Sequence, residues 1–154
     1  MAVGEAWWET VAAVAPRNKP WDGRYAGPFE SDEADDELAE IAEADEPQEA
    51  LTEFLRGFDP AEEYIASDDV DGVVAAACLV AARLSGQVLD EAAEGALEEI
   101  PFVVTEELRG LAAGVLDRVV RPGGNEYHEW YENDPEGLAD WLGQLAWYRA
   151  RLER

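Results

Sequence analysis

An all-α fold, one compact domain of six to seven helices around a buried central helix, follows from three features of the sequence. Ser67 to Gly86, SDDVDGVVAAACLVAARLSG, is apolar on every side of a helical wheel, and from Val70 to Leu84 only Asp71 and Arg83 are charged. A helix apolar all round is buried all round. Flanking stretches repeat apolar residues at helical spacing, as in Leu51, Phe54, Leu55 and Phe58. Proline and glycine breaks at Pro47, Asp59-Pro60, Pro101 and Pro122-Gly123-Gly124 separate those stretches.

Residues 4–15, GEAWWETVAAVA, read as a short helix closed by Pro16, within an N-terminal extension spanning residues 1–20. The all-α domain is assigned to 21–154. Around the boundary, RNKPWDGRYAGPF reads as an ordered loop with aromatic anchors, and it carries Arg17, Lys19 and Arg24. Ala34, Leu38, Ile41 and Ala42 then share one helical face, while Glu33, Asp36, Glu37, Glu40 and Glu43 cover the rest. Pro47 opens the next helix, and AEEYIA leads into the central one. There Ser67 is the expected N-cap and Gly86 the left-handed C′ residue. Residues 89–99 form a further helix, and Phe102-Val103-Val104 an extended connector. Thr105 caps a helix whose stripe is Leu108, Leu111, Ala112, Val115, Leu116 and Val119. NEYHEWYE, 125–132, is a short aromatic helix. Asp134-Pro135 starts the last helix as N-cap and N1 proline, with Leu138, Trp141, Leu142, Leu145, Tyr148 and Leu152 inward.

Composition narrows the function classes. The 154 residues carry 36 acids against 11 bases, a net charge of −25, yet 47% are apolar. That is ample apolar surface for a folded core. Such a charge repels the phosphates of nucleic acid and the headgroups of anionic membranes. Basic proteins, cations or water remain as partners. From Glu30 to Asp71 there are eighteen acids and one base, Arg56. Two readings stand for this run: a solvated outer face on two amphipathic helices, or a surface that meets a cationic partner.

One cysteine excludes an internal disulfide and fits a reducing compartment. The longest apolar run, Val73–Ala82, is half of the ~20 residues that a bilayer demands. MAVGEAWWET lacks a basic n-region followed by an apolar run, so a cytoplasmic protein is expected. Ten arginines against one lysine fit a GC-rich bacterial genome.

Catalytic signatures are weak. His128, flanked by Glu129 and one turn from Glu132, has the elements of an acid–base pair but no nucleophile beside it, and reads as a structural or surface histidine. Cys78 lies mid-helix among apolar residues, where a thiolate is disfavoured. Glu37, Glu40 and Glu43 at three-residue spacing, with Asp68 and Asp71 at i, i+3, suggest Mg²⁺ between two helices, as in a nucleotide hydrolase. That chemistry also needs cations for the triphosphate, and the same spacing comes cheaply in an acid-rich stretch. One histidine and one cysteine exclude a zinc site, and no G-K-[ST] loop occurs. Trp147 falls ~140° from its helix's core stripe, at 100° per residue. It is either covered by another segment, such as the N-terminal extension, or exposed as a binding anchor.

Three segments together resemble the domain of unknown function 4259 family: GPFESDEADDEL (Gly27 to Leu38), the alanine-rich central helix, and NEYHEWYE ahead of a tryptophan-bearing terminal helix. Gly27, Pro28, Phe29, Asp32 and Ala34 match its acidic aromatic–glycine turn. Arg24-Tyr25 occupy the place of its usual tryptophan, with Trp21 as the stand-in. The resemblance covers roughly residues 21–152. It implies a small acidic partner-binding protein, with an immunity role suggested for some members, and it supplies no catalytic residues.

The functional expectation is therefore a non-enzymatic acidic protein that binds a basic protein partner, with no cofactor or metal. A bacterial immunity protein neutralising a nuclease toxin is its most concrete form. The expected contact residues are Glu33, Asp36, Glu37, Glu40 and Glu43, with Trp21, Tyr25 or Trp147 as aromatic anchors. The alternatives are a DNA-mimic inhibitor and a divalent-metal-dependent nucleotide hydrolase using helix carboxylates.

Overall fold

The computed structural model describes residues 7–8, 29, 32–88, 91–121, 124–130 and 132–153, the side chains of 67–69 excepted. Among the described residues the named elements are α1 (Asp32–Glu43), α2 (Pro47–Arg56), α3 (Ser67–Ser85), α4 (Glu91–Glu99), α5 (Glu106–Val119), α6 (Glu126–Trp130) and α7 (Pro135–Ala150). α3 is the hub, packed against α1 and α5 most extensively and also against α2, α4 and α7. Every residue from Val73 to Ala82 is buried, as a helix without a polar face requires. Runs of alanine let its neighbours approach closely. None of the described helices is long and apolar enough to cross a membrane.

The amphipathic stripes face this hub as their spacing predicts. α1 buries Ala34, Leu38 and Ile41, and α2 buries Leu51 and Leu55. α5 turns in Leu108, Ala112, Val115, Leu116 and Val119. α7 buries Trp141, Leu145 and Tyr148, with Leu152 just beyond its end. Two caps are also as expected. The Thr105 side chain accepts from Leu108 N at 3.1 Å, and the Asp134 carboxylate accepts from Gly137 N at 3.0 Å. Gly86 ends α3 with φ +74° and donates to the Ala82 carbonyl.

The start of α3 needs a correction. Its N-cap is Ala66, in extended geometry and with no side-chain cap, so Ser67 is already the first helical residue. The cause lies outside the helix: Ile65 is committed to a bridge with Asn125. Ile65 N donates to Gly124 O at 2.8 Å, and Glu126 N donates to Ile65 O at 3.0 Å. That extended residue forces the helix to open immediately after it.

The bridge belongs to a larger junction that joins the 59–66 loop to the end of α5. Buried Asn125 donates to the carbonyls of Val119 and Arg121 and accepts from Tyr127 N. Arg118, only 4% exposed, donates to Glu62 O at 2.9 Å and Gly124 O at 3.3 Å. Its Nε and Nη1 have no hydrogen-bond partner among the described residues. Burial, then the nearby Arg121 charge, holds its guanidinium below the usual arginine range. Arg121 donates to Pro60 O at 3.0 Å.

Other polar ties fix the periphery. Arg83 donates to the Leu97 and Ile100 carbonyls at the end of α4 and stacks over Phe102. Gln48 pairs with both backbone groups of Val103, which pins the extended connector to α2. At the N-terminal side, Trp7 Nε1 donates to Asp117 at 2.7 Å. Buried Arg149 donates to Asp117 at 2.9 Å and Glu153 at 2.6 Å, and lies over the Trp8 ring at 3.9 Å. The burial of Arg149 and Gln144 on α7 was not legible from its apolar stripe.

Tyr127 ties α6 to α7 by stacking on Trp141 at 4.7 Å, and to the hub by donating its hydroxyl to Asp71. Burial and the Asp71 charge raise its phenol well above the ordinary tyrosine value. The folded state therefore retains this proton where the unfolded chain loses it. The stabilisation is complete below about pH 10 and is lost as pH rises beyond it. Thermal melting of Tyr127→Phe should show a shallower alkaline decline than the parent, and a loss of about 1–2 kcal/mol at neutral pH. Identical alkaline profiles would place the titration elsewhere.

Candidate functional site

α1 carries the acids on its outer faces because its apolar residues occupy the inner one. Glu33, Asp36, Glu40 and Glu43 are exposed, and none forms an ion pair among the described residues. Glu37 differs. It is half-buried, and its stem lies against Gly72 of α3: a Cβ there would come within 2.6 Å of Glu37 Cγ and 3.2 Å of Phe54 Cζ. Its aliphatic part thus belongs to the helix contact rather than to a free acidic face. Arg56, the single base of the acidic run, is drawn away to Glu107 at 2.5 Å. That carboxylate raises the guanidinium's pKa further, with Glu53 and Glu49 adding to the effect.

Of the three aromatic anchors, Trp21 and Tyr25 lie outside the described residues. Trp147 is half-buried, with the Arg151 guanidinium 3.5 Å over its ring and Tyr148 edge-on at 5.0 Å. Among the described residues Arg151 lies over its ring, while Trp7 and Trp8 reach Asp117 and Arg149. Nor does the fold bring Trp147 to the acidic helix, since α1 packs chiefly on α3 and α2, and α7 on α3 and α5.

The sequence reading missed a concave feature. Between the end of α2, the following loop and the start of α3 lies a groove of about 460 Å³. Phe54, Phe58, Ile65, Val70 and Val73 supply its apolar lining, with Glu53, Asp59 and Glu62 as the acids. Phe54 and Phe58 were expected in the core stripe of α2, but both are only half-buried. The helix ends at Arg56, ahead of Asp59-Pro60, so the two rings pack against the edge of the core and leave one side to the groove. Tyr64, 47% exposed, also lines the groove, and its hydroxyl donates to Glu129 at 3.0 Å. The loop is held from beneath by Arg118, Arg121 and the Ile65 bridge. The signal available in the sequence was two phenylalanines at the end of an amphipathic helix, directly before a break and amid acids.

The candidate reactive groups are engaged elsewhere. His128 Nε2 lies 2.8 Å from the Val120 carbonyl, with the ring edge-on to Trp141. Glu129, its sequence neighbour, accepts from Tyr64. Cys78 is fully buried in α3. Asp71 accepts from Tyr127, and the Asp68 side chain lies outside the described residues. Among the described residues no three His, Cys, Asp or Glu side chains come together as a metal site.

A family model described as domain of unknown function (DUF4259) matches residues 23–144. No curated protein and no solved structure matches the chain.

Proposed function

The chain belongs to the family described as domain of unknown function (DUF4259), and we propose that it is a non-enzymatic binding protein that engages a basic protein partner through its acidic α1–α2 side. The observation that carries this reading is the row of exposed carboxylates on α1, which form no ion pair among the described residues; Arg56, the one base between Glu30 and Asp71, is committed to Glu107. Its most concrete form is a bacterial, cytoplasmic immunity protein that occupies the positive substrate channel of a nuclease toxin. Long-range attraction accelerates such an encounter and falls off within a Debye length of about 8 Å at physiological salt. The nucleotide-hydrolase reading draws less support. Glu37 packs along Gly72, Asp71 serves Tyr127, and Arg56 is not free to meet a triphosphate.

The experiment is capture of the partner from the native host, then association kinetics at low and high salt. The combined Glu33, Asp36, Glu40 and Glu43→Gln variant should associate about tenfold or more slowly at low salt, with most of that difference gone at high salt. Its melting temperature should stay equal or rise, because clustered like charges repel and exposed charges add little stability. An acidic partner, or an association rate indifferent to salt, would overturn the proposal.

A further inference from the structure

We infer that the groove between the end of α2 and the start of α3 receives a basic, amphipathic segment of a partner protein. One large apolar side chain of that segment rests on Phe54, Phe58 and Val73, and its Lys or Arg residues meet Glu53, Asp59 and Glu62. This deepens the basic-partner reading and rests on it. Charge alone speeds encounter, whereas tight binding needs a desolvated apolar anchor. The expected anchors were aromatic side chains of this protein, Trp21, Tyr25 or Trp147; the groove is the concave counterpart, with the apolar anchor on the partner's side.

Three observations favour this occupant. The volume, about 460 Å³, accommodates a few side chains rather than a whole domain. Among the described residues the lining contains three carboxylates and no cation. Of the described arginines, Arg56 is spent on Glu107, and Arg118 and Arg121 on the backbone carbonyls of Glu62 and Pro60. An incoming cation therefore finds carboxylates that form no ion pair among the described residues, and the loop that bears Asp59 and Glu62 is already tied down. Preorganisation of that kind limits the entropy lost on binding. A second copy of this chain is disfavoured, because each copy carries a net charge of −25. Nucleic acid is disfavoured for the same reason.

The test uses the full chain, ¹⁵N-labelled, and two synthetic peptides of equal positive charge, one with a central Phe and the other with Ser in its place. Amide shifts and calorimetry are measured at physiological salt and at high salt. The Phe peptide should shift the amides of residues 53–66 and 70–73, and should bind about tenfold more tightly than the Ser peptide, as expected for a buried aromatic anchor. That ratio should survive high salt, which suppresses diffuse attraction to both peptides.

Gly57→Phe supplies the blocking variant. Gly57 lines the groove, is exposed, has φ −71°, and leaves ordinary contact distances of 3.5 Å and more for an added Cβ. It should melt like the parent and lose the tenfold preference. The α1 four-glutamine variant should weaken both peptides and leave their ratio intact. Equal binding of the two peptides, or a preference that persists in Gly57→Phe, overturns the groove and leaves the basic-partner reading standing. Shifts confined to α1 have the same meaning. Groove amides that shift with protein concentration alone would assign the site to a second copy. Failure of both peptides to bind overturns the reading on which the proposal rests.

Discussion

Gly124→Ala should destabilise the fold by about 3 kcal/mol or more, through backbone strain and a collision that add. Gly124 has φ +62°, where a side chain costs on the order of 1–2 kcal/mol. A Cβ at this position would also lie 2.0 Å from the Glu63 carbonyl oxygen and 3.2 Å from its carbon. The colliding group is backbone, and it cannot retreat easily. Ile65, two residues on, is bridged to Gly124 and Glu126, and Arg118 binds the carbonyls of both Glu62 and Gly124. Gly86 provides the control, because it has φ +74° with nothing within 4 Å of an added Cβ. Gly86→Ala should therefore show the strain alone, about 1 kcal/mol. Urea unfolding of both variants measures the difference. Equal losses would show that the 59–66 loop does not press on Gly124.

Val74→Asp should be the most damaging change in the hub. Val74 is 3% exposed in α3, where α1, α2, α4, α5 and α7 also converge. A carboxylate there would lie among aliphatic side chains, and breaking the apolar environment with an unpaired charge costs about 3–5 kcal/mol. Against a typical domain stability of about 5–15 kcal/mol, that is a large fraction. Ala77→Leu gives a graded companion, since Ala77 is fully buried and an added isobutyl group overfills a close helix contact at about 1–3 kcal/mol. Thermal melting by circular dichroism should rank the parent above Ala77→Leu, and Ala77→Leu above Val74→Asp. If both variants melt with the parent, α3 is not the hub.

Both substitutions probe features of different visibility in the sequence. Val74 and Ala77 belong to a stretch whose apolarity is complete around the wheel, so its burial needs no knowledge of the neighbours. Gly124 sits in a Pro-Gly-Gly break that announces the end of α5, but its positive φ and its contact with Glu63 depend on a loop sixty residues earlier. The acidic face lies between these cases. The spacing of Ala34, Leu38 and Ile41 orients α1 correctly, and Glu33, Asp36, Glu40 and Glu43 are exposed as expected. Glu37 escaped because the relevant fact is a glycine on another helix.

By itself the sequence determined the helical class, the hub, the amphipathic faces, two of the side-chain caps and the sign of the surface, along with the family resemblance to which the match over 23–144 corresponds. These follow from local periodicity and from summed charge, which every residue reports independently. Tertiary structure alone decided where α3 begins, which arginines are buried, what lies over Trp147, and that Phe54 and Phe58 sit at the edge of the core and line a groove. Three of the four share a physical reason, since each depends on what the fold brings from, or leaves empty of, distant parts of the chain: Asn125 for Ala66, the Glu62 carbonyl for Arg118, and an unfilled space beside α2 for the phenylalanines. Trp147 is met by Arg151, one turn further on, at the end of α7 where a helical wheel no longer describes the chain. A helical wheel records the direction in which a side chain points, but the fold decides whether anything meets it there.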